Sequence, residues 1–276
     1  MNLVVQGPAL AQGDLDALSL LVKPQAVREI APRAFRFINA MKNEGVAPLC
    51  EARRLDHAWM EEGRRFAGLR LLAMDMDSTL ITIECIDELG DFAGRKAEIA
   101  AITAQAMRGE IEYRESLRRR VKALAGVPES SLSNVYEQRL KLTPGAETLI
   151  AACKKQGVQL LLVSGGFTFF TDRLKKRLGL DHTISNVLEV KHGKLTGALL
   201  GEIVDADAKA ARFREVLSSL GAGKEQSVAI GDGANDLKMM AEAGVSVAFR
   251  AKPVVRAQAT CALSWCGLDA VVNLFE

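Results

Sequence analysis

Apolar positions in this chain fall into short dense runs, spaced by longer stretches of helical period. Four runs, at 69–74, 159–163, 227–230 and 245–249, are brief and bounded by Gly, Asp or Ser, the pattern of buried strands. Between the second and third, the spacing predicts helices over 168–178 and 209–220, and between the third and fourth over 236–243. Strands alternating with helices pair in parallel through right-handed crossovers. The expected fold class is therefore α/β, a doubly wound, mostly parallel sheet with helices on both faces. Residues 186–190 and 195–199, joined through His192-Gly193, predict a β-hairpin at the end of this alternation.

Two segments break the pattern. The stretch 84–140, directly after the first of these strands, reads as helix after helix with turns near Gly94, Gly109-Glu110 and Gly126-Val127-Pro128. Such an insertion suits a small helical cap over the sheet end. Residues 1–66 suggest a strand at 2–5 and then helix-like segments broken at Pro24, Pro32 and Pro48. They carry no catalytic pattern and read as an N-terminal appendage of unknown role. The expected division is 1–66 appendage, 67–83 with 141–276 core, and 84–140 cap.

Composition narrows the classes. A chain of 276 residues is long enough for a substantial core without covalent staples. With 49% apolar and 25% charged residues it is an ordinary soluble globule. The net charge of +2 gives no general attraction to nucleic acid or anionic membrane, and 5% aromatics argue against a base-stacking surface. Five cysteines form an odd, sparse set. With no signal pattern or long apolar run, they predict reduced thiols and a cytoplasmic protein.

The chemistry collects at strand ends. The first of the four runs leads into Asp75-Met76-Asp77-Ser78-Thr79, two carboxylates two residues apart at the edge where open α/β sheets bind ligands. Like charges so close, and buried, call for a cation, and a hard divalent ion such as Mg2+ suits oxygen ligands. The third run ends in Gly231-Asp232-Gly233-Ala234-Asn235-Asp236, adding two acids and an Asn at the same edge. After the second run, Ser164-Gly165-Gly166 precedes a helix, and free amides at a helix N-terminus favour phosphate. Lys209 lies early in a helix, on the unfavourable side of its dipole, as a phosphate counter-charge would be.

The ordered set Asp75-x-Asp77-x-Thr79, Ser164, Lys209 and Gly231-Asp232-x-x-x-Asp236 resembles the four motifs of the haloacid dehalogenase superfamily. That match spans about residues 69–276, and within it Asp75-Met76-Asp77-Ser78-Thr79, Glu84-Cys85-Ile86-Asp87-Glu88, Ser116 to Val121, Ser164-Gly165-Gly166-Phe167-Thr168 and Gly231-Asp232-Gly233-Ala234-Asn235-Asp236 are similar to the phosphoserine phosphatase family. The resemblance implies Mg2+-dependent hydrolysis of O-phospho-L-serine, the last step of serine biosynthesis, through an aspartyl-phosphate on Asp75. Asp77 would serve as acid and then base. Mg2+ would bridge Asp75, the backbone carbonyl of Asp77, Asp232 and a phosphate oxygen. Ser164, Gly165 and Lys209 would hold the phosphoryl group with help from Asn235. Asp236 would orient Lys209 or a metal-bound water, with Thr79 also behind the reacting groups. In the cap, Glu84 would take the substrate ammonium and Arg120 its carboxylate, with Met107 and Tyr113 as apolar lining. The implied partner is the small-molecule substrate, with no nucleic acid or membrane; a homodimer is compatible.

Helical geometry bears separately on Arg120. At about 100° per residue, Val121 and Leu124 fall beside Leu117, and Arg120 lies on the shoulder of that apolar stripe with Tyr113. Arg118 and Arg119 face solvent. His57, His182 and His192 form no cluster, and Cys261 with Cys266 has poor metal spacing. Cys85, next to Glu84, suggests inhibition by thiol reagents. A phosphotransferase passing the group from phosphoserine to another amino-acid alcohol, such as homoserine, is the alternative. Receiver domains are much shorter and lack the insertion, and no G-x-G-x-x-G follows the first of these strands, which argues against a dinucleotide fold.

Overall fold

The computed structural model describes residues 1–276, the side chain of Met107 excepted. The expected lining role of Met107 therefore lies outside the described residues. Eleven strands form one sheet. Its centre is parallel: β11 (Cys261–Leu263), β10 (Val245–Phe249), β9 (Ser227–Gly231), β5 (Leu71–Asp75), β6 (Gln159–Phe167) and β7 (His182–Lys191) lie side by side in that order. β8 (Lys194–Leu200) closes the far edge as an antiparallel hairpin with β7. Its two turn residues, His192 and Gly193, have φ of 52° and 69°, the positive pair that a twist-matched two-residue turn requires.

Period-two alternation assigns the faces. Leu72, Met74, Leu160, Leu162, Val228 and Ile230 enter one core. Their neighbours Leu71, Ala73, Leu161, Val163 and Ala229 enter the other. The first face is covered by α7 (Ala146–Lys155) and α8 (Thr168–Leu178), through Leu149, Cys153, Phe170 and Leu174. The second is covered by α9 (Ala206–Ser219), α10 (Leu237–Glu242) and the short α11 (Pro253–Arg256), through Phe213, Met239, Met240 and Val255. Strands apolar on both faces are what a sheet sandwiched between helix layers needs.

The cap consists of α3 (Cys85–Phe92), α4 (Lys96–Met107), α5 (Tyr113–Ala123) and α6 (Ser130–Gln138), as the helical reading of 84–140 expects. It rests on the β7–β8 hairpin. Gly126 N–H donates to Leu195 O and Leu195 N–H to Val127 O, both at 2.8 Å. Gly197 (φ 84°) allows this seat, because a Cβ there would lie 2.9 Å from Ala125 Cβ and 3.2 Å from Lys122 backbone.

Residues 1–66 depart from the expected run of broken helices. They form β1 (Asn2–Gln6), α1 (Gln12–Val22), β2 (Ala26–Ala31), β3 (Ala34–Ile38), α2 (Val46–Arg53) and β4 (Asp56–Met60). Pro24 follows the end of α1, but Pro32 starts the β2–β3 turn with Arg33 at φ 59°, and Pro48 sits in the first turn of α2. Proline is tolerated there because those amides lack helical partners. Four antiparallel strands continue the central sheet, β4 meeting β11 at the single pair His57–Ala262. No helix among the described residues is long and apolar enough to cross a membrane.

Candidate active site

The parallel register brings the reactive ends level. Asp75 pairs with Val163, one residue before Ser164, and Met74 pairs with Ile230, two before Asp232. Past Asp75 the chain makes a tight turn over 76–80, with Ser78 at φ 56°. A non-glycine residue there is strained. Ser78 is held by two bonds, its N–H to Ile83 O at 3.2 Å and its Oγ to Glu84 Oε1 at 2.7 Å. The turn thus delivers Glu84 from the root of the cap to the edge of the site.

Lys209 is fully buried, and its Nζ donates to Asp75 Oδ1 at 2.5 Å and to Asp236 Oδ1 at 2.7 Å. Burial alone would lower its pKa, but the Asp236 and Asp75 carboxylates reverse this and keep it charged. The solvated role common for a helical lysine does not apply. Asp75 is pushed well up by burial; Lys209 opposes this, while Asp236, Asp232 and Asp77 add to it. Asp232 is raised to about 6, by burial and then Asp236.

Carboxylate oxygens of Asp75, Asp232 and Asp236 lie within 4.8 Å of one another. One ammonium among so many carboxylates leaves net negative charge in a dry site. This oxygen-only donor set fits a hard divalent cation. The Asp77 carboxylate turns elsewhere: Oδ1 accepts from Cys85 N–H at 2.8 Å, and Oδ2 lies 3.4 Å from Ser164 Oγ. Burial raises its pKa against these bonds.

Ser164 Oγ also accepts Gly166 N–H at 2.8 Å. Glycine is required at 166, since a Cβ would stand 2.8 Å from Asp77 Oδ2 and 2.9 Å from Ser164 Oγ. Gly231 serves similarly, its would-be Cβ 2.6 Å from Asp236. Asp236 further accepts Gly233 N–H at 3.1 Å. Asn235 is half-buried on the same turn. Thr79 is completely buried, and its Oγ1 has no partner among the described residues.

From the cap, Tyr113 leans over the Ser164-Gly165-Gly166 loop, where a Cβ on Gly165 would lie 2.2 Å from its hydroxyl oxygen. Arg120 is half-buried while Arg118 and Arg119 are exposed, as the helical phase predicts. Its Nε is buried without a protein partner, as is Asp87 Oδ1. Glu84 is pushed up to about 8, by burial and then by Asp77. Cys85 corrects one expectation: it is 1% exposed and its thiol is driven well up by burial, so it is not a reactive thiolate. All five cysteines are free.

Three further residues of this neighbourhood, Asn186, Asp205 and Arg114, carry little signal in the sequence pattern. Asn186 donates to Gly165 O and accepts Val204 N–H, both at 2.8 Å, and so pins the Ser164-Gly165-Gly166 loop from β7. Asp205 caps α9, accepting Ala208 N–H at 3.0 Å, and receives Arg114 Nε at 2.6 Å from the cap. A polar residue at the start of a hairpin strand is the only cue to Asn186.

The family model for haloacid dehalogenase-like hydrolases matches residues 72–241. A phosphoserine phosphatase of Polaromonas sp. is 54% identical over 217 residues, covering 77% of this chain and 92% of that protein. The unliganded crystal structure of a probable phosphoserine phosphatase from Vibrio cholerae aligns at TM-score 0.87 and 37% identity, over 99% of this chain and 86% of that one. A substrate-bound phosphoserine phosphatase complex aligns at TM-score 0.71 and 36% identity, over 75% of this chain and 99% of that one.

Proposed function

Because the chain belongs to the haloacid dehalogenase-like hydrolases, and among them to the phosphoserine phosphatase family, we propose that it hydrolyses O-phospho-L-serine to L-serine and phosphate. The observation that carries this reading is Lys209, buried and bonded to both Asp75 and Asp236 at the strand ends beneath the cap. A fully buried ammonium shared by two carboxylates adds little to stability for its desolvation cost, and it places a fixed positive charge beside the nucleophile, where a phosphoryl group would sit once a cation offsets the acids.

Asp75 attacks phosphorus in line; the P–Oγ bond of serine breaks and an aspartyl-phosphate forms. Asp77, whose raised pKa favours a held proton, gives that proton to the departing serine oxygen. It then takes a proton from the water that attacks the aspartyl-phosphate, returning Asp75 and releasing phosphate. The anchored acceptor bond from Cys85 N–H keeps Asp77 in place for both transfers. Lys209, the Ser164 hydroxyl and the Gly165 amide offset the phosphoryl charge. Asp75, Asp232 and the backbone carbonyl of Asp77 would hold Mg2+, which supplies further neutralisation when bound. The half-buried guanidinium of Arg120, whose Nε has no partner among the described residues, suits the substrate carboxylate as a two-pronged donor, and Glu84 suits the ammonium.

Phosphate release from L-phosphoserine, with Mg2+ and with EDTA, tests the assignment. Release with Mg2+, lost in EDTA and indifferent to added homoserine, is expected. Release only when homoserine is present would mean transfer instead of hydrolysis.

A further inference from the structure

The helix that carries Arg120 is held differently at its two ends. Just past the C-terminal end of α5, backbone hydrogen bonds join Gly126 and Val127 to Leu195 of the hairpin. At its N-terminal end, side chains reach the core. Tyr113 stands over Gly165, and the next residue, Arg114, donates from Nε to Asp205 Oδ2 at 2.6 Å. Asp205 is no ordinary surface acid. Its other oxygen accepts Ala208 N–H at 3.0 Å, and its carbonyl accepts Lys209 N–H at 2.9 Å. Its side chain is only 14% exposed.

One short chain of contacts therefore runs from the helix bearing Arg120, through Arg114 and Asp205, to the first turn of the helix bearing Lys209. Arg120 lies six residues beyond Arg114, about 9 Å along the helix axis. We propose that Arg114 is a positioning residue: by gripping Asp205 it sets the height of α5 over the core, and with it the span between Arg120 and the phosphate pocket around Lys209. This rests on the reading of Arg120 as the partner of the substrate carboxylate. A short two-ended ligand such as phosphoserine, bound at its phosphate and its carboxylate at once, is held best when the two ends of its site keep one separation, and looseness there weakens binding. Inorganic phosphate touches the core pocket alone and is blind to that span.

The pair is partly solvated, so its worth lies in geometry more than in stability. Arg114→Ala and Asp205→Asn are the informative variants. Asparagine keeps the helix cap, since its side-chain oxygen still accepts Ala208 N–H. Each variant is expected to raise KM for phosphoserine about fivefold, the scale of a modest coupling between contacting groups. Competitive inhibition by inorganic phosphate should stay within about twofold of wild type. The double variant should be no worse than either single one, and Arg114→Lys should recover most of the loss. A wild-type KM in Arg114→Ala, or equal losses for phosphoserine and phosphate, or additive losses in the double variant, would overturn the proposal while leaving the activity intact. Failure of the wild-type enzyme to release phosphate from phosphoserine would instead overturn the functional reading, and this proposal with it.

Discussion

Lys209 shows how burial turns a commonplace residue into a functional one. Its sequence position, early in a helix after Asp205-Ala206-Asp207, is electrostatically unfavourable; only the converging ends of β5 and β9 account for it. Replacing Asp75 by Asn removes the nucleophile but keeps an oxygen near Lys209, which Asp236 still neutralises. Phosphate release should fall by about a thousandfold or more, with thermal unfolding little changed. Glu84 allows a pH test. Its pKa is about 8 in the folded protein against an ordinary 4.5, so the native state holds a proton that the unfolded state has lost between those values. Native stability from this group is thus present at low pH and declines as pH rises from 4.5 to 8. Glu84→Gln cannot ionise, so the Tm of wild type relative to this variant should drop between pH 5 and 9, followed by calorimetry. The motif residues were legible because clustered carboxylates and glycines at strand ends do little for stability and much for ligand binding. Arg114, Asp205 and Asn186 were not, since an exposed arginine, a helix cap and a strand asparagine are each common without function.

Among the elements, those with strong periodicity are legible in the sequence. The strands β6, β9 and β10, helix α8, the helical cap and the β7–β8 turn all follow from local pattern. What local pattern did not show is that the hairpin serves as a pedestal for the cap. Gly197 is the test of that role. Valine there would meet both a positive φ of 84° and the Lys122 backbone 3.2 Å away. We expect Gly197→Val to destabilise the protein by about 2 kcal/mol, seen as a Tm lower by several degrees. KM for phosphoserine should rise more than kcat falls, because the pedestal carries the cap and not the nucleophile. An unchanged KM in the folded variant would separate hairpin from cap. The strand β11 is not legible in the sequence because three residues, Cys261–Leu263, carry no measurable period.

At the scale of the whole molecule, the N-terminal 66 residues change meaning. Read alone, they are short apolar pieces interrupted by prolines. Folded, they extend the catalytic sheet with four strands beyond its parallel centre, and they hold the chain's other end. Arg36 Nη2 donates to Phe275 O at 2.6 Å, and Gln6 Nε2 to Ala270 O at 3.1 Å. Asp56, 2% exposed, accepts Ser264, Trp265 and Cys266 N–H at 2.7, 3.1 and 2.9 Å. Asp56→Ala would orphan those amides, and denaturant unfolding should show a loss of about 2–4 kcal/mol. A loss below about 0.5 kcal/mol would mean the segment is a detachable appendage after all. By itself the sequence determined the α/β class, the inserted cap, and the acids, lysine and glycines of the site. Alternation, helical phase and charge repulsion are local properties that few residues suffice to express. Only the tertiary structure decided that residues 1–66 join the sheet, that Lys209 is bonded to Asp75 and Asp236, and that Arg114 ties cap to core. Each of these depends on pairing between residues from 27 to more than 200 positions apart. Such contacts are selected by the burial of many side chains at once, which no local pattern encodes.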